Sequence, residues 1–313
     1  MKVSVASRSF SKNNFLRELI LKNYSDVFFN DTGSTLEGED LVKFLYHSEK
    51  AIIALETIDE NLLKQLPNLK VIGKFGVGLD KIDLDSMSRH KIKLGWEPGV
   101  NSRSVSELTL SFMIQALRRL RLCQQKILDG DFNQISGENL TNKVIGIIGC
   151  GNVGKDLITL LKPFNCKILV YDIKEDDEFY FKNKIKKTSF NFLIENSDII
   201  TLHTPLTNKT YKFIGRNEFN KMKKNAVLIN TARGKLINEK DLLYALKNNQ
   251  IDSAAVDVFF DEPPKNYELL KLQNFIISPH IGGSTSDSIL KMGISAIKGL
   301  DNAQDPLNFL QYK

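Results

Sequence analysis

Short apolar runs recur along the chain, each followed by a stretch whose apolar residues fall three or four positions apart. In the first hundred residues the runs are 2–6, 26–29, 51–54, 71–75 and 93–96. Between them, 13–22, 39–46 and 60–66 carry helical spacing. Runs that are apolar throughout suit strands buried on both faces, and their alternation with helices predicts βαβ units and a parallel sheet. The alternation stops at Pro98-Gly99. Ser104-Val105-Ser106-Glu107 then reads as a capping box, in which the Ser and Glu side chains each satisfy a backbone N–H of the first turn. It predicts a helix reaching Asp129 and stopped by Gly130, with Leu108, Phe112, Leu120 and Cys123 on one face. A helix that long is expected to serve as an interdomain element or a dimerisation arm. A second series follows, with runs at 143–149, 167–171, 198–203, 226–230, 254–258 and 275–278. The lysine-rich stretch 182–187 is expected at an exposed turn or edge.

The chain has 313 residues, enough for two domains. With 42% hydrophobic and 26% charged residues it falls outside the collagen-like and disordered classes. No apolar run approaches the roughly 18 residues of a spanning helix. Met1-Lys2-Val3-Ser4-Val5-Ala6 reads as a strand rather than a signal peptide, so no membrane partner and a cytoplasmic location are expected. Cys123, Cys150 and Cys166 are odd in number and widely spaced, which argues against a disulfide framework and against a metal site. The net charge of +6 comes from 34 lysines and nine arginines spread from end to end. Nucleic-acid binding calls for a basic stripe with a recognisable motif, and none is present, so the charge points to small anionic ligands.

Residues 149–154 read Gly149-Cys150-Gly151-Asn152-Val153-Gly154, a G-x-G-x-x-G turn between an apolar run and a helical stretch. A further run ends in Tyr171-Asp172, 18 residues past Gly154. In a dinucleotide site Gly149 permits the tight turn, Gly151 lets a pyrophosphate approach the backbone, and Gly154 lets helix and strand pack closely. The helix start holds the anion. Asp172 would accept hydrogen bonds from the adenosine ribose hydroxyls and repel a 2′-phosphate, so the expected cofactor is NAD.

Three later segments place polar groups at the ends of buried runs, where open α/β sheets bind ligands. They contain Arg233-Gly234, Glu262-Pro263 and Pro279-His280. Together they suit oxidoreduction of a 2-hydroxy acid. Arg233 would hold the carboxylate and polarise the C2 oxygen. His280 would exchange the hydroxyl proton, and Glu262 would fix its tautomer and raise its pKa. His203 ends a buried run as well and is the rival base, while His47 and His90 are expected at the surface.

Seven segments in this order resemble the D-2-hydroxyacid dehydrogenase family. They are Gly76-Val77-Gly78-Leu79-Asp80, Asn101 to Glu107, the G-C-G-N-V-G turn, Leu202 to Thr207, Asn230 to Gly234, Asp257 to Pro263, and Pro279 to Thr285. Within the family the motifs are most similar to the D-3-phosphoglycerate dehydrogenase branch. The resemblance implies two doubly wound parallel-sheet α/β domains, a Rossmann NAD domain inserted into a flavodoxin-like substrate domain. Residues 1–99 plus 284–313 would form the substrate domain, and 100–283 the dinucleotide-binding domain. It implies Arg233, Glu262 and His280 as catalytic residues. Asn152 and Val153 would meet the pyrophosphate. Thr204, Pro205, Thr231, Ala232, Asp257, Gly282 and Gly283 would line the nicotinamide side. Lys74, Gly76, Val77 and Gly78 would bind substrate, with Asn101 and Arg103 beside them, and a homodimer would form through the helix at Ser104.

The branch usually carries an Arg-Ser-x-Thr stretch whose arginine helps hold phosphate. Here that stretch reads Ala54-Leu55-Glu56-Thr57, so Lys74 or Arg103 would have to supply the charge. The chain also ends before the position of a C-terminal regulatory domain, so feedback through one is not expected. The leading expectation is oxidation of 3-phosphoglycerate to 3-phosphohydroxypyruvate. The alternatives are an unphosphorylated acid (glycerate/hydroxypyruvate, glyoxylate or lactate) and a non-enzymatic NADH-sensing corepressor.

Overall fold

The structure is a computed structural model that describes residues 1–174 and 176–312, so Lys313, the end of the expected returning segment, lies outside the described residues. The chain forms two compact units, one of Met1–Asn101 with Gly283–Lys313 and one of Ser102–Gly282.

The first unit is built on five parallel strands: β1 (Lys2–Val5), β2 (Asp26–Phe29), β3 (Lys50–Ile53), β4 (Val71–Lys74) and β5 (Lys93–Gly95). Their order is β2-β1-β3-β4-β5, the flavodoxin-like arrangement. Strand residues alternate between two cores: Val3, Val5 and Ile52 pack with Leu16 and Ile297, while Ala51, Ile53 and Ile72 pack with Leu63 and Met87. Both faces are therefore apolar, as the unbroken runs require. The returning helix Ser286–Gly299 starts at Thr285, whose hydroxyl accepts from Ser288 N at 3.2 Å. Trp96 then meets Phe309 and Tyr312 edge-on at 5.4 and 5.0 Å between ring centroids.

The second unit holds seven strands: β6 (Val144–Ile148), β7 (Lys167–Tyr171), β8 (Lys186–Lys187), β9 (Ile199–Leu202), β10 (Val227–Asn230), β11 (Ser253–Val256) and β12 (Phe275–Ile277). They run parallel in the order β12-β11-β10-β9-β6-β7-β8. The order reverses between β6 and β9, the switch point where such sheets bind dinucleotides. Register decides what emerges there. Ile148 lies opposite Leu202, Leu202 opposite Asn230, Asn230 opposite Val256, and Val256 opposite Ile277. The loops after β6, β9, β10, β11 and β12 thus leave the sheet at one level. The short β8 places Lys186 and Lys187 at the sheet edge, where lysine discourages pairing with another chain.

One expectation fails. The helix begins at Ser102 and ends at Leu117, and a separate helix spans Leu120–Leu128. Between them Arg119 takes a left-handed backbone at φ +51°. Ser104 is therefore inside the helix and caps nothing; its hydroxyl donates to the carbonyl of Gly282 at 2.6 Å. The apolar spacing continues across the break, so periodicity could not reveal it. Asp129 and Gly130 do end the second helix, Gly130 with φ +80°.

Candidate active site

The fingerprint loop follows β6 directly. Gly149 has φ +91°, and a Cβ there would lie 2.6 Å from the carbonyl carbon of His203, so the loop after β9 presses against it. A Cβ on Gly154 would lie 2.5 Å from Gly149 O, while one on Gly151 would meet nothing within 4 Å. The helix Asn152–Leu161 follows, with Gly151 as N-cap and no side chain capping it. Its first-turn N–H groups at Asn152, Val153 and Gly154 therefore face an open approach, the arrangement that binds a phosphate anion. At the end of β7 the Asp172 carboxylate is aimed by two backbone donors, Cys150 N at 2.6 Å and Lys174 N at 2.8 Å. This open, donor-lined cradle beside a fixed carboxylate fits a dinucleotide. Cys150, within the turn, is no nucleophile: burial, then the nearby Asp172 charge, pushes its thiol pKa up to about 12.

The chemistry-bearing residues meet at the ends of β10, β11 and β12. After β10, Asn230 is fully buried and holds the turn from both sides. Its Nδ2 donates to Arg233 O at 2.8 Å and its Oδ1 accepts from Ala232 N at 3.0 Å. Thr231 is tied to Thr109 through their hydroxyls at 2.9 Å. Gly234 is needed because a Cβ there would lie 1.9 Å from Phe259 O. That contact seats the Arg233 turn directly on the loop leading to Glu262.

Glu262 accepts from Phe259 N at 3.1 Å with Oε1, and its Oε2 lies 2.8 Å from His280 Nδ1. Burial acts to raise the Glu262 pKa, but the hydrogen bond and charge of His280 outweigh it and the net shift is downward. The same hydrogen bond raises the His280 pKa, against the opposing effect of burial. The His280 side chain is 47% exposed and its backbone is left-handed at φ +55°, an uncommon conformation outside glycine that the surroundings must enforce.

Asp257 enforces it. This 1% exposed carboxylate accepts from the Ser278 hydroxyl, from Ile281 N at 2.8 Å and from Gly282 N at 2.7 Å. Its oxygens are thus engaged with the loop that carries His280. Asn230 and Ser278 are the residues that sequence reading passed over. Each lies in or beside a quoted motif, but only the fold reveals what it holds.

His203 does not compete as a base. Its Nε2 lies 2.9 Å from Thr201 Oγ1, and desolvation pushes its pKa down to about 3. Thr204 follows it, half-buried, and Pro205 is exposed with its carbonyl accepting from Thr210 Oγ1 at 2.8 Å. His47 is exposed, and His90 is half-buried against Glu60 at 3.1 Å.

The residues expected to bind substrate divide between the units. In the first, Lys74 ends β4 at 6% exposure, and Gly76, with φ +116°, has its Cβ position 3.5 Å from Lys74 Nζ. Val77 and Gly78 continue that loop, both half-buried. Asn101 is 8% exposed, its Oδ1 buried without a partner, and its Nδ2 is 2.8 Å from the Cβ position of Gly283. Arg103 belongs to the second unit, where it pairs with Asp156 at 2.8 Å. Gly282 and Gly283 likewise fall in different units. Both cations expected to hold phosphate have partners within the protein: Arg103 faces a carboxylate, and Lys74 donates to the carbonyls of Ala54 and Phe75.

Residues 110–282 match the family model described as D-isomer specific 2-hydroxyacid dehydrogenase, NAD binding domain. A glyoxylate reductase of Thermofilum pendens is 34% identical, over 90% of this chain and 86% of its own. A D-3-phosphoglycerate dehydrogenase of Methanocaldococcus jannaschii is 35% identical over 87% of this chain, which spans only 53% of that protein. The crystal structure of D-lactate dehydrogenase from Aquifex aeolicus complexed with NAD and lactic acid superposes with a TM-score of 0.84 at 27% identity, covering 96% of this chain and 94% of that one. A switch-point cradle fitted to a dinucleotide, matched over more than half the chain by that model, places the protein in the D-isomer-specific 2-hydroxyacid dehydrogenase family, with NAD as its cofactor.

Proposed function

We propose that the protein interconverts a short, unphosphorylated 2-keto acid and its D-2-hydroxy acid, with glyoxylate or hydroxypyruvate as the keto acid. The observation that carries the substrate class is that both candidate phosphate cations are engaged within the protein, Arg103 in an ion pair with Asp156 and Lys74 in hydrogen bonds to two backbone carbonyls. Arg233 binds the substrate carboxylate and polarises the C2 oxygen, with a planar donor fork suited to that group. His280 donates a proton to the C2 oxygen in reduction and accepts it in oxidation. Glu262 holds Nδ1, leaving Nε2 for this exchange. When bound, the nicotinamide supplies or takes up the hydride. In the first unit the loop 76–78 offers backbone N–H groups to a carboxylate.

A second reading, reduction of 3-phosphohydroxypyruvate, has the phosphoglycerate dehydrogenase relatives in its favour. One panel separates the two: NADH oxidation with glyoxylate, hydroxypyruvate, pyruvate and 3-phosphohydroxypyruvate. The first reading expects kcat/KM highest for an unphosphorylated acid. A preference of about 100-fold for the phosphorylated one, near 2.7 kcal/mol, overturns it.

A homodimer is part of this proposal. The helix Leu120–Leu128 has no buried residue, and Ile127, Leu128 and Phe132 are 59%, 80% and 87% exposed. Apolar surface gathered in this way suits association with a second copy. Light scattering should give twice the chain mass, and a monomer mass rejects the proposal. No helix among the described residues is long and apolar enough to cross a membrane.

A further inference from the structure

Three hydroxyls lie close together in the interior of the helix Ser102–Leu117, where alanine would favour the helix more. Ser104, Ser106 and Thr109 are 6%, 0% and 0% exposed. A hydroxyl withdrawn from water needs a partner, and each of these finds one on a different segment of the second unit. Ser104 Oγ donates to Gly282 O at 2.6 Å, and Ser106 Oγ donates to Val153 O at 3.1 Å. Thr109 Oγ1 gives its single proton to Val105 O at 2.8 Å, so the Thr231 hydroxyl is the donor across their 2.9 Å contact. At about 3.6 residues per turn the three positions face different sides, so three segments are fastened around one helix. Gly282 lies two residues beyond His280, Thr231 two before Arg233, and Val153 in the first turn after the fingerprint. Gly282 is held at both ends, because its N–H donates to Asp257 at 2.7 Å.

From this we propose that Ser104, Ser106 and Thr109 are positioning residues, through which one helix fixes the proton-transfer loop, the nucleotide cradle and the carboxylate-binding turn relative to one another. The inference rests on the roles given above to Arg233 and His280. Asn230 and Asp257 hold the turn and the loop from their own strands, and the helix joins both to the cradle. Because the three ties are separate, losing one registers in the step that its own segment serves. Thr109 governs binding of the keto acid through the Arg233 turn, Ser104 governs proton transfer through the His280 loop, and Ser106 governs binding of the nucleotide. A helix that only packs would lose stability without any such division.

The test measures kcat and KM with glyoxylate and with hydroxypyruvate, and the Kd of NADH by fluorescence titration. It compares wild type with Ser104→Ala, Ser106→Ala and Thr109→Val, each of which removes one hydroxyl and little volume. Thr109→Val should raise KM for the keto acid about threefold to tenfold, the factor equivalent to one neutral hydrogen bond. Thr109→Ser keeps the hydroxyl and should return KM to within about twofold of wild type. Ser104→Ala should lower kcat by a similar factor with KM moved less, and Ser106→Ala should raise the NADH Kd. Shifts that stay within about twofold, or that run in the same proportion in all three variants, overturn the proposal. Should Thr109→Val not fold, Thr231→Val removes the same contact from the side of the turn, and an unmoved KM there overturns the proposal equally. Wild-type protein that reduces no acid in the panel instead overturns the reductase reading. The NADH titration needs no turnover and still decides whether Ser106 holds the cradle, so the two failures are distinct.

Discussion

The Oε2 atom of Glu262 lies 2.8 Å from Nδ1 of His280, although 18 residues and the whole of β12 separate them in the chain. That contact fixes which imidazole nitrogen faces away from the protein scaffold. It also holds the proton on the ring to a higher pH than an isolated histidine would, because the carboxylate hydrogen bond favours the charged form.

Reduction requires the imidazolium, so activity should fall as pH rises through the raised His280 pKa. Glu262→Gln removes the main cause of that elevation, and the alkaline limb of kcat/KM for reduction should move to lower pH. The profile of the variant against wild type checks the sign. An unmoved or upward-shifted limb would falsify the assignment.

His280→Ala should cost about 10²–10⁴-fold in kcat, the range for losing a positioned proton donor. NADH affinity, followed by fluorescence titration, should change little, since the fingerprint cradle is untouched.

Asp172→Ser should relax the choice of cofactor. The carboxylate repels a 2′-phosphate, and two backbone N–H groups keep it in place. Steady-state kinetics should show the NADPH-to-NADH ratio of kcat/KM rising by about tenfold or more, as expected when a close charge repulsion is removed.

Asp257→Asn replaces an acceptor by an amide that cannot satisfy Ile281 N, Gly282 N and Ser278 together. Leaving buried donors unmatched costs about 1–3 kcal/mol, so chemical denaturation should register that loss. Activity should drop more than stability suggests, because the loop released is the one holding His280 in its left-handed conformation.

Gly234→Ala sets a methyl group 1.9 Å from Phe259 O, and backbone must yield. Overpacking of this kind costs about 1–3 kcal/mol. Because the displaced segments of chain carry Arg233 and Glu262, kcat should fall along with the melting temperature. Retention of both would show that the turn and the loop are not coupled.

Much of the architecture is legible in one dimension because its causes are local. Unbroken apolar runs such as 145–148 mark strands covered on both faces, and the G-C-G-N-V-G turn needs its glycines where backbone packs on backbone. The strand ends therefore lie close to the ends of the apolar runs, and the order of motifs leads to the family. The break at Arg119 is hidden because apolar spacing runs straight through it, and Ser104 looks like a cap because its partner, Gly282 O, is remote in sequence.

What sequence alone determined, then, was the class of fold, the dinucleotide and the identities of Arg233, Glu262 and His280 as candidates. Tertiary structure decided which of them share a contact and what supports them. Register in the seven-stranded sheet brings the ends of β10, β11 and β12 to one level, and only there do Asn230 and Asp257 become buried organisers. The same holds in the other unit, where Glu56 and Lys74 converge on Ala54 because β3 and β4 are neighbours. Periodicity records which face a residue shows to its own core. A hydrogen-bond partner is set by distance in space, and pairing of strands far apart in the chain is what sets that distance.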